Sequence, residues 1–308
     1  MTASCARRGL RVPPAVMRLG VRQLGRRCLD PALPWQVQRT RLDRLTRTSL
    51  LPRGTAVAEQ AIGGVPAEVV SSRAPGSQRT VIHFHGGGYC LGSAHTARSW
   101  AAHLSAAAGC RVVVPEYRLA PEHPYPAALE DARAVMRALS REAKLGSVVV
   151  SGDSAGGGLA LALVLSMRDK GQELPAGCIL LSPWLDLGRD RLAVPDLVRR
   201  DVLINPDWLD ACARAYADPS TWADRSVSPL CAAPFGLPPL LIQAGTEELL
   251  APDAELLAAS ASAAGVDVTY TRWPRMWHHF ALQPGLLAAA DSALAQAAWF
   301  VSRVTVSS

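Results

Sequence analysis

From residue 80 onward the chain alternates short apolar runs with longer stretches of helical periodicity, and this alternation restricts its fold more than any other feature. The runs are TVIHF (80–84), RVVVPEY (111–117), SVVVSG (147–152), CILL (178–181), PLLIQAG (239–245) and DVTYTRW (267–273). Most are solidly apolar rather than alternating, the pattern of strands buried on both faces of a parallel sheet. Between them lie TARSWAAHLSAAAG, YPAALEDARAVMRALSREAKLG, AGGGLALALVLSMRDKG and PDAELLAASASAAG, with helical spacing and closing glycines suited to helix C-caps. A last helix runs through LLAAADSALAQAAWFVSRV. Strands and helices in this rhythm join by right-handed crossovers, which predicts an α/β domain. Hydrophobic residues make up 49% of the 308 and charged residues 19%, enough to build its core. No apolar stretch reaches the roughly 18 residues of a membrane-spanning helix, and LALALVLSM (159–167) reads as a buried helix.

Two regions interrupt the alternation. Residues 1–55 read as helices punctuated by Pro13, Pro14, Pro31 and Pro34. Residues 186–237 contain NPDWLDACARAYADP, a helix entered through Asn205-Pro206. A helical lid in two parts over a sheet accounts for both. Charge is uneven as well: residues 1–53 carry twelve Arg against Asp30 and Asp43, a balance of +10, and the remainder is −4. Such a segment reads first as a solvated helix face, with contact to an anionic membrane surface as the alternative. It is poor in serine for a transit peptide and lacks a signal-peptide core, so a cytoplasmic protein is expected. Seven cysteines (5, 28, 90, 110, 178, 212, 231) are scattered without a CxxC pair, against a disulfide framework or a zinc site. Cys90, Cys110 and Cys178 lie in or beside apolar runs, where thiols pack as small hydrophobes.

The chemistry gathers at VSGDSAGGG (150–158). Gly152-Asp153-Ser154-Ala155-Gly156 fits G-x-S-x-G, a weak signal alone, but it follows a strand run and opens a helical one. A serine on so sharp a turn requires tiny neighbours, and its helix start aims N–H groups and a positive dipole end at the hydroxyl. HFHGGGYC (83–90) then supplies oxyanion donors, since backbone amides without Cβ atoms can point into a site. It is not a phosphate loop, because G-x-x-x-x-G-K-[ST] is absent. An acid and a base should follow in that order: Glu247 and Glu248 lie just past one strand run, His278 and His279 just past the next. His83 and His85 share a strand face as a metal pair would, without a third ligand cluster. His123 reads as a loop pin. Trp184, Trp208, Trp222 and Tyr89 are candidates for a pocket lining or for core.

With HGGGY (85–89), YRLAPEHPYPAALED (117–131), GDSAGGG (152–158), SPWLDL (182–187), GLPPLLIQAGTEELL (236–250) and MWHHF (276–280), the chain resembles the hormone-sensitive-lipase-like esterases, bacterial family IV, of the α/β-hydrolases. The resemblance spans roughly residues 55–303. It implies an eight-stranded mostly parallel sheet with helices on both faces, and a helical cap from residues 1–55 and an insertion at about 186–226, the catalytic domain being 56–308. It implies Ser154 as nucleophile, His278 as base, Gly87, Gly88 and Ala155 as oxyanion donors, and His85 and Asp153 as supporting residues. Many relatives place the acid in a D-P-L stretch, where this chain has Glu248-Leu249-Leu250, so Glu248 is the expected acid, Glu247 its rival and Asp253 a third choice. The implied activity is hydrolysis of short- to medium-chain carboxylic esters with no cofactor or metal, the near alternatives being an arylamide or acetyl-ester deacetylase, or a lipase. A non-catalytic small-molecule receptor on the same fold is the alternative from another class. The expected partner is a small ester, with no nucleic acid; a homodimer and peripheral membrane contact stay open.

Overall fold

A computed structural model describes residues 11–46, 51–72, 79–190 and 193–305. Cys5, Arg7, Arg8 and Arg47 lie outside the described residues. Eight strands form one sheet: β1 (Ala56–Ile62), β2 (Val65–Ser71), β3 (Thr80–Phe84), β4 (Arg111–Pro115), β5 (Val148–Asp153), β6 (Gly177–Leu181), β7 (Leu240–Gly245) and β8 (Val268–Trp273). Their spatial order is β1-β2-β4-β3-β5-β6-β7-β8. From β4 to β8 every neighbouring pair is parallel, whereas β1 and β2 make an antiparallel edge.

The strands β3 to β7 are mostly apolar because each side of the sheet has its own core, whereas the edge strand β8 is only half-buried. Val81, Val112, Val114, Val149, Ile179 and Leu241 pack against α3 (Ala94–Ala108) and α9 (Ala288–Val304). The intervening Ile82, Val113, Val148, Val150, Leu180 and Ile242 pack against α4 (Ala127–Glu142), α5 (Ala155–Asp169) and α8 (Ala251–Ala263). Successive side chains on a strand point to opposite faces, so a sheet covered on both sides needs both sets apolar.

The hairpin β1–β2 is a structural addition to the six runs read from the sequence. All of β1 except Ile62 is exposed, so no apolar run marks it. Its turn is Gly63-Gly64, with φ 62° and 86°, a two-residue loop in which both residues take the left-handed region.

The remaining helices are α1 (Pro14–Cys28), α2 (Trp35–Thr46), α6 (Pro195–Arg200) and α7 (Pro206–Tyr216). Asn205 caps α7 by accepting from the Trp208 amide at 2.9 Å, the interaction its Asn-Pro start predicts. α2 and α7 meet where the Trp208 indole N–H donates to Gln38 Oε1 at 3.0 Å, with Gln38 fully buried. Arg39 in α2 donates to the carbonyls of Cys90 and Ala120 at 2.7 and 2.8 Å and pairs with Glu122. The N-terminal helices are thereby fastened both to the insertion and to the glycine loop after β3.

Among the described residues no helix is long and apolar enough to cross a membrane. Cys28, Cys90, Cys110, Cys178 and Cys212 are buried thiols and Cys231 is exposed.

Candidate active site

The turn between β5 and α5 places Ser154 at φ 53° and ψ −121°, a conformation L-residues adopt only under strain. Its neighbours allow the turn. A Cβ on Gly152 would overlap the Gly156 carbonyl, and one on Gly156 would overlap the Phe84 carbonyl of β3. The Ser154 amide donates to Leu181 O of β6 at 2.9 Å, and its carbonyl accepts from Trp184 N at 2.9 Å. The hydroxyl is thus fixed at the carboxyl end of the central strands, where open α/β sheets build sites.

His278 comes from the loop after β8, and its Nε2 lies 2.9 Å from Ser154 Oγ. Its Nδ1 lies 3.1 Å from Glu248 Oε2. Glu248 sits in the turn between β7 and α8, and its Oε1 accepts from the Gly245 amide at 3.1 Å. All three residues are buried, at 4%, 1% and 0% exposure for Ser154, His278 and Glu248. Burial is the main influence on both ionisable members. It pushes the Glu248 carboxyl up, and together with the nearby His279 it holds the His278 imidazole well below its ordinary range. A neutral imidazole with its Nε2 on a hydroxyl is equipped to take that proton.

The rival acids are occupied elsewhere. Glu247 pairs with Arg18 of α1 at 2.5 Å. Asp253 is fully buried, accepts from the amides of Leu185 and Asp186, and pairs with Arg189 at 3.0 Å.

The glycine loop faces the serine. Gly86 N–H donates to Asp153 Oδ1 at 3.0 Å. Among the described residues no hydrogen bond takes up the amides of Gly87, Gly88 or Ala155. Gly87 and Gly88 have φ 123° and 63°, values that suit glycine. Ala155 opens α5, where the first N–H groups have no partner within the helix.

Asp153 links this loop to the His278-His279 pair. Its Oδ1 also meets His83 Nε2 at 3.1 Å, and its Oδ2 meets His279 Nε2 at 2.9 Å. Although burial works the other way, the His279 and His83 imidazoles hold the Asp153 carboxyl far below the usual carboxylate range. The His279 ring stacks on that of His278 with centroids 4.2 Å apart. The sequence names His279 beside His278 as a candidate; its contact with Asp153 is what the doublet alone did not reveal.

His83 and His85 are both buried beside the glycine loop. His83 Nδ1 reaches Ser151 Oγ at 3.1 Å. His85 stacks on Tyr117 at 4.3 Å, and burial lowers its pKa to about 4. Among the described residues no group of three His, Cys, Asp or Glu is arranged to hold a metal ion. His123 is exposed, and its backbone amide donates to Leu119 O.

Above Ser154 lies a cavity of about 350 Å³. Val21, Leu24, Cys28 and Leu29 of the first helix and its end, Leu42 and Leu45 of α2, Leu203, Ile204 and Trp208 of the insertion, and Leu282 and Leu286 wall it. Of the aromatic candidates, only Trp208 lines this cavity. Tyr89 stacks on Tyr216 at 3.8 Å in the core, Trp184 is 1% exposed beside it, and Trp222 lies under Arg214.

A strained serine turn under a helical cap, on an eight-stranded and mostly parallel sheet, defines the α/β-hydrolase class. Comparison with known proteins agrees. The family described as alpha/beta hydrolase fold matches residues 81–282. LipR of Mycobacterium tuberculosis is 37% identical over 94% of this chain and 89% of its own length. An acetyl-hydrolase of Streptomyces hygroscopicus is 41% identical over 65% of this chain and 67% of its own. The crystal structure of an esterase from the bacterial hormone-sensitive lipase family superposes with a TM-score of 0.89 at 32% identity, covering 96% of this chain and 100% of that one. The chain belongs to the α/β-hydrolase-fold family, on its hormone-sensitive-lipase branch.

Proposed function

We propose that the protein is a serine carboxylesterase that hydrolyses short- to medium-chain carboxylic esters through an acyl-enzyme. The observation that carries this reading is the continuous hydrogen-bonded chain from Ser154 through His278 to Glu248. Ser154 Oγ attacks the ester carbonyl carbon while its proton passes to His278 Nε2, and the carbonyl oxygen takes up the negative charge. The amides of Gly87, Gly88 and Ala155 donate to that oxyanion; removing one such donor typically costs about 2.7–4 kcal/mol of transition-state stabilisation. The carbon–oxygen bond to the alcohol breaks, and the alcohol leaves with the proton from His278. Water then attacks the acyl-enzyme, giving its proton to His278, and the acid departs as Ser154 regains its hydrogen. Glu248 holds the imidazole in the tautomer with Nε2 free to accept and stabilises the imidazolium as it forms. His85, stacked under the loop, and Asp153, bonded to Gly86, position the donors. The steps move only a proton, an acyl group and water, so no cofactor takes part in them.

The apolar cavity supports an ester with a hydrocarbon acyl chain, and its volume lies near the lower end for small-molecule sites. The Streptomyces relative's name favours acetyl esters among the substrates. An intact base and acid speak against a receptor that merely binds such molecules. An organophosphonate ester tests the assignment: it should label Ser154 in one-to-one stoichiometry, located by peptide mass spectrometry. Labelling of another residue, or none, would remove Ser154 from the mechanism.

A further inference from the structure

The cap carries an exposed surface that the mechanism does not use. Ten large hydrophobic side chains are exposed among the described residues, and six of them lie between residues 16 and 51. Val16 and Leu19 are 58% and 65% exposed. They lie on the side of α1 away from Val21, Gly25 and Cys28, the positions that wall the cavity, as about 100° of turn per residue requires. Leu24 and Leu45 do both things: they line the cavity and are 38% and 39% exposed, so the apolar wall of the site runs out to the surface where α1 and α2 meet. On the same two helices Arg22, Arg27, Arg41 and Arg44 are exposed. Residues 11–46 contain eight arginines and only two acids, Asp30 and Asp43.

We propose that this face of the cap docks onto an anionic lipid bilayer, with the mouth of the cavity turned toward the lipid. Its charge decides against a second copy meeting the same face, because two such surfaces repel. Its exposed leucines and valines decide against nucleic acid, which would use the arginines but gain nothing from aliphatic side chains without aromatic stacking partners. The exposed aromatics, Phe235 and Trp299, lie outside the cap. Arginines flanking aliphatic side chains on a surface helix are the combination that enters the headgroup boundary of an anionic membrane. In that position an amphipathic ester passes from the bilayer into the cavity along Leu24 and Leu45. This delivery role rests on the esterase reading, whereas the docking itself does not.

Flotation with phosphatidylglycerol and phosphatidylcholine vesicles tests the proposal. The protein should float with the anionic vesicles only, and should dissociate as salt shortens the screening length from about 10 Å at 0.1 M to about 3 Å at 1 M. Leu19→Glu should weaken flotation by about tenfold or more, while kcat/KM on a dissolved p-nitrophenyl ester stays unchanged. Equal flotation with both vesicle types, none with either, or indifference to Leu19→Glu would overturn it. So would dimerisation or duplex-DNA binding through this face without vesicle binding. An inactive protein that still floats sinks the esterase reading alone, and an active one that never floats sinks the docking alone.

Discussion

Glu247 and Glu248 are one position apart, yet one meets Arg18 of the first helix and the other meets His278. Neighbouring side chains leave a turn in different directions, so their shared composition says nothing about which of them reaches His278. Replacing Glu248 by Gln keeps the shape but favours the wrong imidazole tautomer, and should lower kcat by about 10⁴. Glu247→Gln should leave kcat within about tenfold of wild type, as a part-exposed ion pair is worth at most ~1 kcal/mol; steady-state kinetics on one ester compares the two. Equal losses would contradict the assignment. Asp153 gives a pH prediction. Its folded pKa lies below the unfolded value of about 3.9, so its contribution to stability is complete above that pH and is lost as pH falls below it. The urea midpoint of the wild type should therefore drop more steeply below about pH 4 than that of Asp153→Asn. Parallel curves would mean that its imidazole partners do not stabilise the charge.

At the scale of elements, what was legible follows from burial. β3 to β7 stand out in the sequence because both of their faces are covered, leaving an uninterrupted apolar run. β1 is almost wholly exposed and shows no such run, and the Gly63-Gly64 pair at its turn was a signal left unread. Ser154 and the glycine loop were readable because strand, turn and helix are local in the chain. The contacts of His279 with Asp153 and of Arg18 with Glu247 were not, since each depends on segments brought together only by folding. The cap joint is of the same kind. Trp208→Phe keeps the ring in place but leaves Gln38 Oε1 buried without its donor, which should cost about 1–3 kcal/mol of stability. A calorimetric melting point unchanged by the substitution would show that α2 and α7 are held together by packing alone.

Over the whole molecule, the uneven charge also has a use inside the fold. The basic N-terminal helices are fastened partly through acids of the body, Arg18 on Glu247 and Arg39 on Glu122. The cap, the insertion and the ends of β3, β5 and β8 then surround one apolar cavity over Ser154. The central claim is that this serine performs the chemistry of ester hydrolysis, and a p-nitrophenyl ester series from acetate to palmitate, run on the wild type and on Ser154→Ala, tests it most directly. Turnover of the short and medium esters should fall by about 10⁶ in the variant. Turnover that survived the loss of the hydroxyl, or a wild type that released no nitrophenol at any chain length, would contradict it.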